Sequence, residues 1–393
     1  MKSLRQSPTD DGFVQNPYRF YDRARALGPL FVWEDYGLVC ATSAAAVGAI
    51  LRDRRFGREV PAEKRSAIPG HLAPFYAVEA HSMLELEPPR HTRLRSLVLR
   101  AFTSRRIAAL APEIAALSHH LIDAFPDGEF DLLPAFARKL PVIIIARLLG
   151  VPEDRSDDLL AWSNAMVGMY QARRSRATED DAVAATQSFT TFLHAHVERR
   201  RTRPADDLIT HLIAAGSGGD RLSTDELITT CILLLNAGHE ATVHIIGNGV
   251  KALIEHGFGA EALVPDRAEA TVEEILRFDP PLHLFTRHAY ENVEIAGHVF
   301  RRGDEAGCLL AAANRDPALW QAPRRFDPAR PVKPGLSFGA GLHFCVGAPL
   351  ARLELRIALP ILFARLPGLT LVEPPRYANL YHFHGLERLV VRR

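Results

Sequence analysis

The stretch Phe338-Gly339-Ala340-Gly341-Leu342-His343-Phe344-Cys345-Val346-Gly347 restricts this chain more than any other. Its glycines call for tight turns or close backbone approach, because glycine alone takes left-handed angles without steric cost. Ala348-Pro349 follows, then an apolar-periodic run from Leu350 to Leu366. Proline suits the first turn of a helix, where its missing N–H is not needed. Cys345 therefore stands just ahead of a helix N-terminus, where unpaired N–H groups and the positive dipole end favour a thiolate. A thiolate in a glycine-lined loop is a soft ligand for a transition metal. The plainer reading of a lone cysteine in such a turn is a buried structural residue.

The spacing is more specific than a lone cysteine. Phe-Gly-x-Gly-x-His-x-Cys-x-Gly resembles the haem-thiolate loop of the cytochrome P-450 family at every motif position. The resemblance implies haem b as cofactor and Cys345 as its iron ligand. It places Phe338 beside the sulfur, Gly339 and Gly347 in the cofactor-binding loop, and His343 at a haem propionate. It also implies the fold: mainly α with small β-sheets, residues 1–393 forming a single domain. The haem is expected between a long distal helix and the helix after the Cys loop.

Composition agrees with a globular chain. Apolar residues make 47% and charged residues 24%, with a formal net charge of +1. That balance argues against binding nucleic acid or a membrane surface through overall charge. The four cysteines are scattered, which excludes a disulfide framework or CxxC zinc site. The apolar run Leu140–Val151 is shorter than the roughly 20 residues a spanning helix needs. A soluble, cytoplasmic monomer is the expectation.

Helical periodicity covers residues 17–28, 105–125, 134–149, 153–170, 180–201 and 267–278, with strands near Leu30–Trp33 and Leu38–Ala41. After Pro88-Pro89, His91 and Arg95 lie four apart and share one helix face. An isolated pair of this kind is usually a solvated basic face; the resemblance makes both residues propionate donors. Ser223 and Glu226 form a capping box at the head of a long helix. Leu234, Ala237, Gly238, Ala241 and Ile245 fall on one face of it, and their small side chains leave room against the backbone. Glu240 is a carboxylate beside that apolar stripe, which calls for a partner or a task.

This stretch is similar to the family's distal oxygen-binding groove, Ala-Gly-x-acid-Thr, in which Ala237, Gly238 and Glu240 match. The usual alcohol position holds Ala241, and Thr242 follows one residue later. The implied catalytic set is Glu240, Ala241 and Thr242, with Glu240, ordered water and a substrate hydroxyl replacing the alcohol. Thr242 can instead bond the Gly238 carbonyl. Glu274 and Arg277 stand at i,i+3 and can pair; resemblance to the family's Glu-x-x-Arg helix makes the pair structural and buried, completed by Arg330. The strand after Pro280-Pro281 carries Arg287, the third implied propionate donor.

The implied pocket residues are Phe75, Val78, Leu234, Leu282 and Leu284, with Val60 and Tyr76 nearby, a loop at Leu380–Phe383, and His283 or His384 as a polar handle. The activity implied is a haem-thiolate monooxygenase acting with O2 on a small-to-medium hydrophobic organic substrate. Electrons come from a ferredoxin and an NAD(P)H-dependent ferredoxin reductase. Arg90, Arg93, Arg105, Arg106, Arg352 and Arg356 are the expected ferredoxin dock. The alternatives are a peroxide-driven peroxygenase and a non-catalytic haem protein that binds a ligand.

Overall fold

Ser223 accepts from the Glu226 N–H while the Glu226 carboxylate accepts from the Ser223 N–H, so the expected capping box starts a helix. That helix runs unbroken for 32 residues, Thr224–Glu255, about 48 Å at 1.5 Å per residue. The computed structural model describes residues 1–171, 174–215, 221–381 and 383–393. Five helices position the site: α1 (Arg90–Ala101), α2 (Lys139–Leu149), α3 (Thr224–Glu255), α4 (Pro265–Phe278) and α5 (Ala348–Arg365). α3 is apolar on most faces and is buried by packing against α2, α4 and α5. Burying each Leu or Ile on it contributes about 1.5–3 kcal/mol.

The expected helix at 105–125 is two, Ser104–Ala109 and Ala111–Asp123. Pro112 can open a helix but cannot continue one, so the break falls just before it. The 134–149 stretch is likewise a wide turn, Leu133–Ala137, followed by α2. The strands Leu30–Trp33 and Leu38–Ala41 stand where the sequence puts them, inside a six-stranded sheet with Leu284–Ala289 and Glu305–Leu309 at its far side. Leu284–Ala289 pairs antiparallel with Glu305–Leu309, Leu284 opposite Leu309 and Arg287 opposite Ala306. Among the described residues, no helix is long and apolar enough to cross a membrane.

Glu274 and Arg277 on α4 form the buried pair expected of them. Arg277 donates from Nε to Glu274 Oε2 at 2.6 Å and from Nη2 to Oε1 at 2.7 Å. Arg330 completes the set at 3.1 Å, and the Asp327 N–H donates to Oε1 at 2.8 Å. The remaining Arg277 donors reach the carbonyls of Asn314, Pro323 and Arg325. The same region braces the Cys loop: Ser337 donates to the Leu276 carbonyl of α4 at 2.6 Å and accepts from Asn314 at 2.7 Å.

Candidate active site

Gly339 and Gly341 both take left-handed angles, φ +70° and +71°. A Cβ at Gly341 would collide with the Leu51 carbonyl, so that turn admits only glycine. The Cys345 N–H closes the loop on the Phe338 carbonyl at 3.1 Å. The N–H groups of Gly347 and Ala348, at the start of α5, donate to the Cys345 sulfur. The helix start favours the thiolate in the expected direction, and burial opposes it. Burial pushes the thiol up, and these N–H groups with Arg95 and Arg352 only oppose it. An iron bound at the sulfur would hold it ionised against that burial.

Cys345 opens into a cavity of about 570 Å³. Its far wall is α3, where Leu234, Ala237, Gly238, Ala241 and Ile245 all line the space, as their shared face predicts. A methyl added at Gly238 would meet Ile145 of α2 at 3.4 Å, an ordinary van der Waals contact, so packing against α2 does not by itself demand glycine there. His91, Arg95 and Arg287 converge on the cavity from α1 and from the strand Leu284–Ala289. Arg287 is 3% exposed and, among the described residues, donates only to the Thr286 carbonyl, at 2.7 Å. Burial first, then Arg58, pushes its pKa down to about 10. Arg95 donates to the Phe344 carbonyl at 2.6 Å, and His91 Nδ1 is buried without a partner. Neither arginine meets a carboxylate among the described residues. A buried cation and an orphaned imidazole around one cavity are deficits that a pair of carboxylates removes. A thiolate on one side, carboxylate donors at the edge and a bare helix face opposite fit a haem.

Several expected site residues stand elsewhere. Gly339 turns the chain but does not line the cavity, unlike Phe338, His343 and Gly347. His343 lies 2.9 Å from Glu87 Oε1, so its ring already has a carboxylate. Phe75 is buried in the core against Tyr76 and, like Tyr76, does not reach the cavity; Val60 is 38% exposed at the surface. Val78, Leu282 and Leu284 line it as expected, and so do Leu380, Tyr381 and Phe383; His382 lies outside the described residues. His283 and His384 are buried behind the wall and offer the cavity no polar handle.

Ala241 and Thr242 line the cavity, while Glu240 does not. Thr242 donates to the Gly238 carbonyl at 3.0 Å, which occupies its hydroxyl. Glu240 sits between two histidines, 3.4 Å from His239 Nε2 and 3.5 Å from His244 Nε2. Burial disfavours its charge, but the two imidazoles outweigh burial and hold Glu240 well below the usual carboxylate range. Sequence reasoning missed His244, although its position four residues after Glu240 on one helix was the signal. It also missed Arg58, Glu79 and Tyr170, which line the cavity as well. Arg58 pairs with Glu85, and Tyr170 donates to Glu79 at 3.1 Å. Burial, reinforced by Glu85, pushes Glu79 up to about 7. These contacts join segments far apart in the chain, and no local pattern announces them.

The family model for cytochrome P450 matches residues 268–367. The chain is 36% identical to the biotin biosynthesis cytochrome P450 of Bacillus subtilis (strain 168), over 99% of each chain. The chain belongs to the cytochrome P450 family. It is also 39% identical to the vitamin D(3) 25-hydroxylase of Pseudonocardia autotrophica, over 97% of this P450 and 91% of that protein. The solved structure of P450BioI, in complex with hexadec-9Z-enoic acid ligated acyl carrier protein, superposes with a TM-score of 0.90 at 35% identity. That match covers 98% of this P450 and all of the other chain. The fold is therefore the P450 fold, the cofactor is haem b, and the enzyme is an oxidoreductase that puts one oxygen atom of O2 into an organic substrate. Haem b held by a cysteine thiolate activates O2, because the thiolate pushes electron density to the iron and favours O–O cleavage.

Proposed function

We propose that this P450 oxygenates a medium-sized hydrophobic molecule held between Cys345 and α3, with electrons from a ferredoxin and its reductase. The observation that carries the reading is the cavity itself: one wall is the sulfur of Cys345, the other the small-residue face of α3. Cys345 would hold the iron, and His91, Arg95 and Arg287 would hold the propionates. Val78, Leu234, Leu282 and Leu284 supply the apolar walls usual for an organic ligand. Glu79 and Tyr170 offer a substrate one polar contact in the cavity. The names of the relatives, a vitamin D(3) hydroxylase and a complex with a hexadecenoyl acyl carrier protein, support a largely apolar substrate.

The test is an optical titration of the ferric protein with terpenoids, fatty acids, aromatics, steroids and macrolides. A ligand that displaces water from the iron shifts the main absorption band to shorter wavelength. A saturable shift with one class identifies the chemistry; no shift with any class, in protein whose reduced carbon monoxide adduct shows thiolate ligation, counts against a hydrophobic substrate.

The proposed ferredoxin dock narrows. Arg93 and Arg352 are paired with Glu226 and Glu273, and Arg106 faces Asp206 at 3.6 Å. Arg90, Arg105 and Arg356 meet no carboxylate among the described residues and are the cations left for an acidic partner.

Two further outcomes follow from the site. Arg287→Leu removes a buried cation whose hydrogen bonds to a propionate are charge-assisted, and such bonds contribute about 1.5–3 kcal/mol. Haem loss to excess apomyoglobin should then speed up by roughly 10–100-fold; an unchanged rate would show that Arg287 does not hold the cofactor. Glu240→Gln removes the ionised carboxylate between His239 and His244. With Thr242 occupied by Gly238, Glu240 and water form the route by which protons reach the cavity. Product formed per NAD(P)H consumed should fall about a hundredfold, the lower end of general acid–base contributions, while reduction of the protein keeps its rate. Unchanged coupling excludes Glu240 from proton delivery.

A second reading is a peroxide-driven reaction, favoured by Ala241, which leaves the cavity without a free hydroxyl from the helix at that point. Turnover with hydrogen peroxide equal to the ferredoxin-driven rate would establish it.

A further inference from the structure

Behind the wall formed by Pro281, Leu282 and Leu284, three side chains from two distant segments meet. Asp279 and His283 leave the end of α4, and His384 returns near the C-terminus. They are 5%, 0% and 4% exposed. One ring nitrogen of each histidine and one oxygen of Asp279 lie within 4.8 Å of one another. His384 Nε2 is 3.5 Å from Asp279 Oδ1. His283 Nε2 is buried without a hydrogen-bond partner. The Pro280 carbonyl also acts on the ring, yet a fully buried imidazole nitrogen with no hydrogen bond among the described residues still calls for a partner.

The groups around these three are arranged as around ligands. Tyr21 Oη lies 2.9 Å from His283 Nδ1 and 2.8 Å from Tyr381 Oη. If Nδ1–H donates to Tyr21 and Tyr21 donates onward to Tyr381, the Nε2 lone pair of His283 is free for an ion. Tyr18 donates to Asp279 Oδ1 at 2.7 Å, and Tyr377 donates to Oδ2. Asn248 donates to the backbone carbonyls of both Asp279 and His384, at 3.1 and 2.9 Å, and so ties the two segments together. Ligating histidines use their second N–H in this way, and ligating carboxylates are themselves hydrogen-bonded.

We propose that Asp279, His283 and His384 bind a divalent transition-metal ion, zinc, at a buried site separate from the haem. Two imidazoles and one carboxylate form a zinc donor set, with a fourth position left to a non-protein ligand. Binding draws the donors from their present separations toward the roughly 3.3 Å of a tetrahedral site with bonds near 2.0–2.1 Å. The competing arrangement is a metal-free contact between His384 and Asp279, which leaves His283 Nε2 orphaned; the ion satisfies all three groups. The consequence for the enzyme is mechanical. The ion would pin the segment carrying Leu282 and Leu284 to the loop carrying Leu380 and Phe383, which are two walls of the cavity.

The test uses tag-free, full-length holoenzyme, dialysed first against zinc and then against metal-free buffer. Zinc and iron are counted by mass spectrometry, and anomalous scattering from crystals at the zinc edge locates the ion. About one zinc per chain is expected beside the haem iron, with an anomalous peak between the three side chains. His384→Gln and Asp279→Asn should lower retained zinc at least about tenfold while the iron content holds. If a variant loses haem as well, the wild-type anomalous map decides. Zinc far below one per chain, equal retention by wild type and His384→Gln, or a peak elsewhere would overturn the proposal and leave the metal-free contact.

Discussion

Cys345→Ser is expected to leave a folded protein that has lost its chemistry. Serine is smaller by little and fits the same loop, and His91, Arg95 and Arg287 remain to hold haem carboxylates. What disappears is the soft anionic donor. A neutral hydroxyl pushes far less electron density to the iron, so O–O cleavage loses its driving group. The reduced carbon monoxide adduct should lose its thiolate absorption. Monooxygenation should fall at least about a hundredfold, since even outer-shell losses at metal sites cost 10–100-fold. A variant that kept the thiolate spectrum would mean that another cysteine is the ligand. The structure argues against this: Cys40, Cys231 and Cys308 are all buried in the core, and burial pushes Cys231 and Cys308 up to about 12. None of the three lines the cavity.

Arg277→Leu should abolish folded holoprotein. Glu274 is 2% exposed and takes two of its four hydrogen bonds from Arg277. Without that side chain its charge stays buried, with Arg330 alone to balance it, and the carbonyls of Asn314 and Pro323 lose their donor. Breaking a buried pair from one side costs about 3–5 kcal/mol, a large share of the 5–15 kcal/mol by which a typical domain is stable. The damage would be felt at the cofactor, because Asn314 and α4 brace Ser337, next to the first residue of the Cys loop. Soluble variant protein with full haem occupancy and a wild-type melting temperature would refute this account.

The elements that were legible are those whose cause is local. Ser223 and Glu226 announce a helix start because both capping bonds lie within four residues. Gly341 announces a tight turn because its left-handed backbone angle favours glycine whatever surrounds it. The stripe from Leu234 to Ile245 announces a cavity wall because helical spacing alone sets its face. Phe75 misled for the opposite reason: its apolar character fits pocket and core equally, and only packing against Tyr76 and the core decides. Glu240 was legible as a carboxylate needing a partner. That its partners are His239 and His244, and that it does not itself line the cavity, needed the helix to be placed among its neighbours.

The sequence by itself determined a thiolate loop ahead of a helix, the start of the long helix and the ion pair, and through the resemblance carried by its motifs the cofactor and the reaction class. A ten-residue motif, a capping box and an i,i+3 ion pair are short-range patterns with physical consequences of their own. Only the tertiary structure decided which polar groups face one another across long stretches of chain. Arg58 meets Glu85, Tyr170 meets Glu79, and Asp279 meets His384 over about a hundred residues. Such contacts depend on how helices and sheet pack around the core, and packing is a property of the whole fold. These polar groups of the cavity and the cluster behind its wall are therefore visible only once the chain is folded.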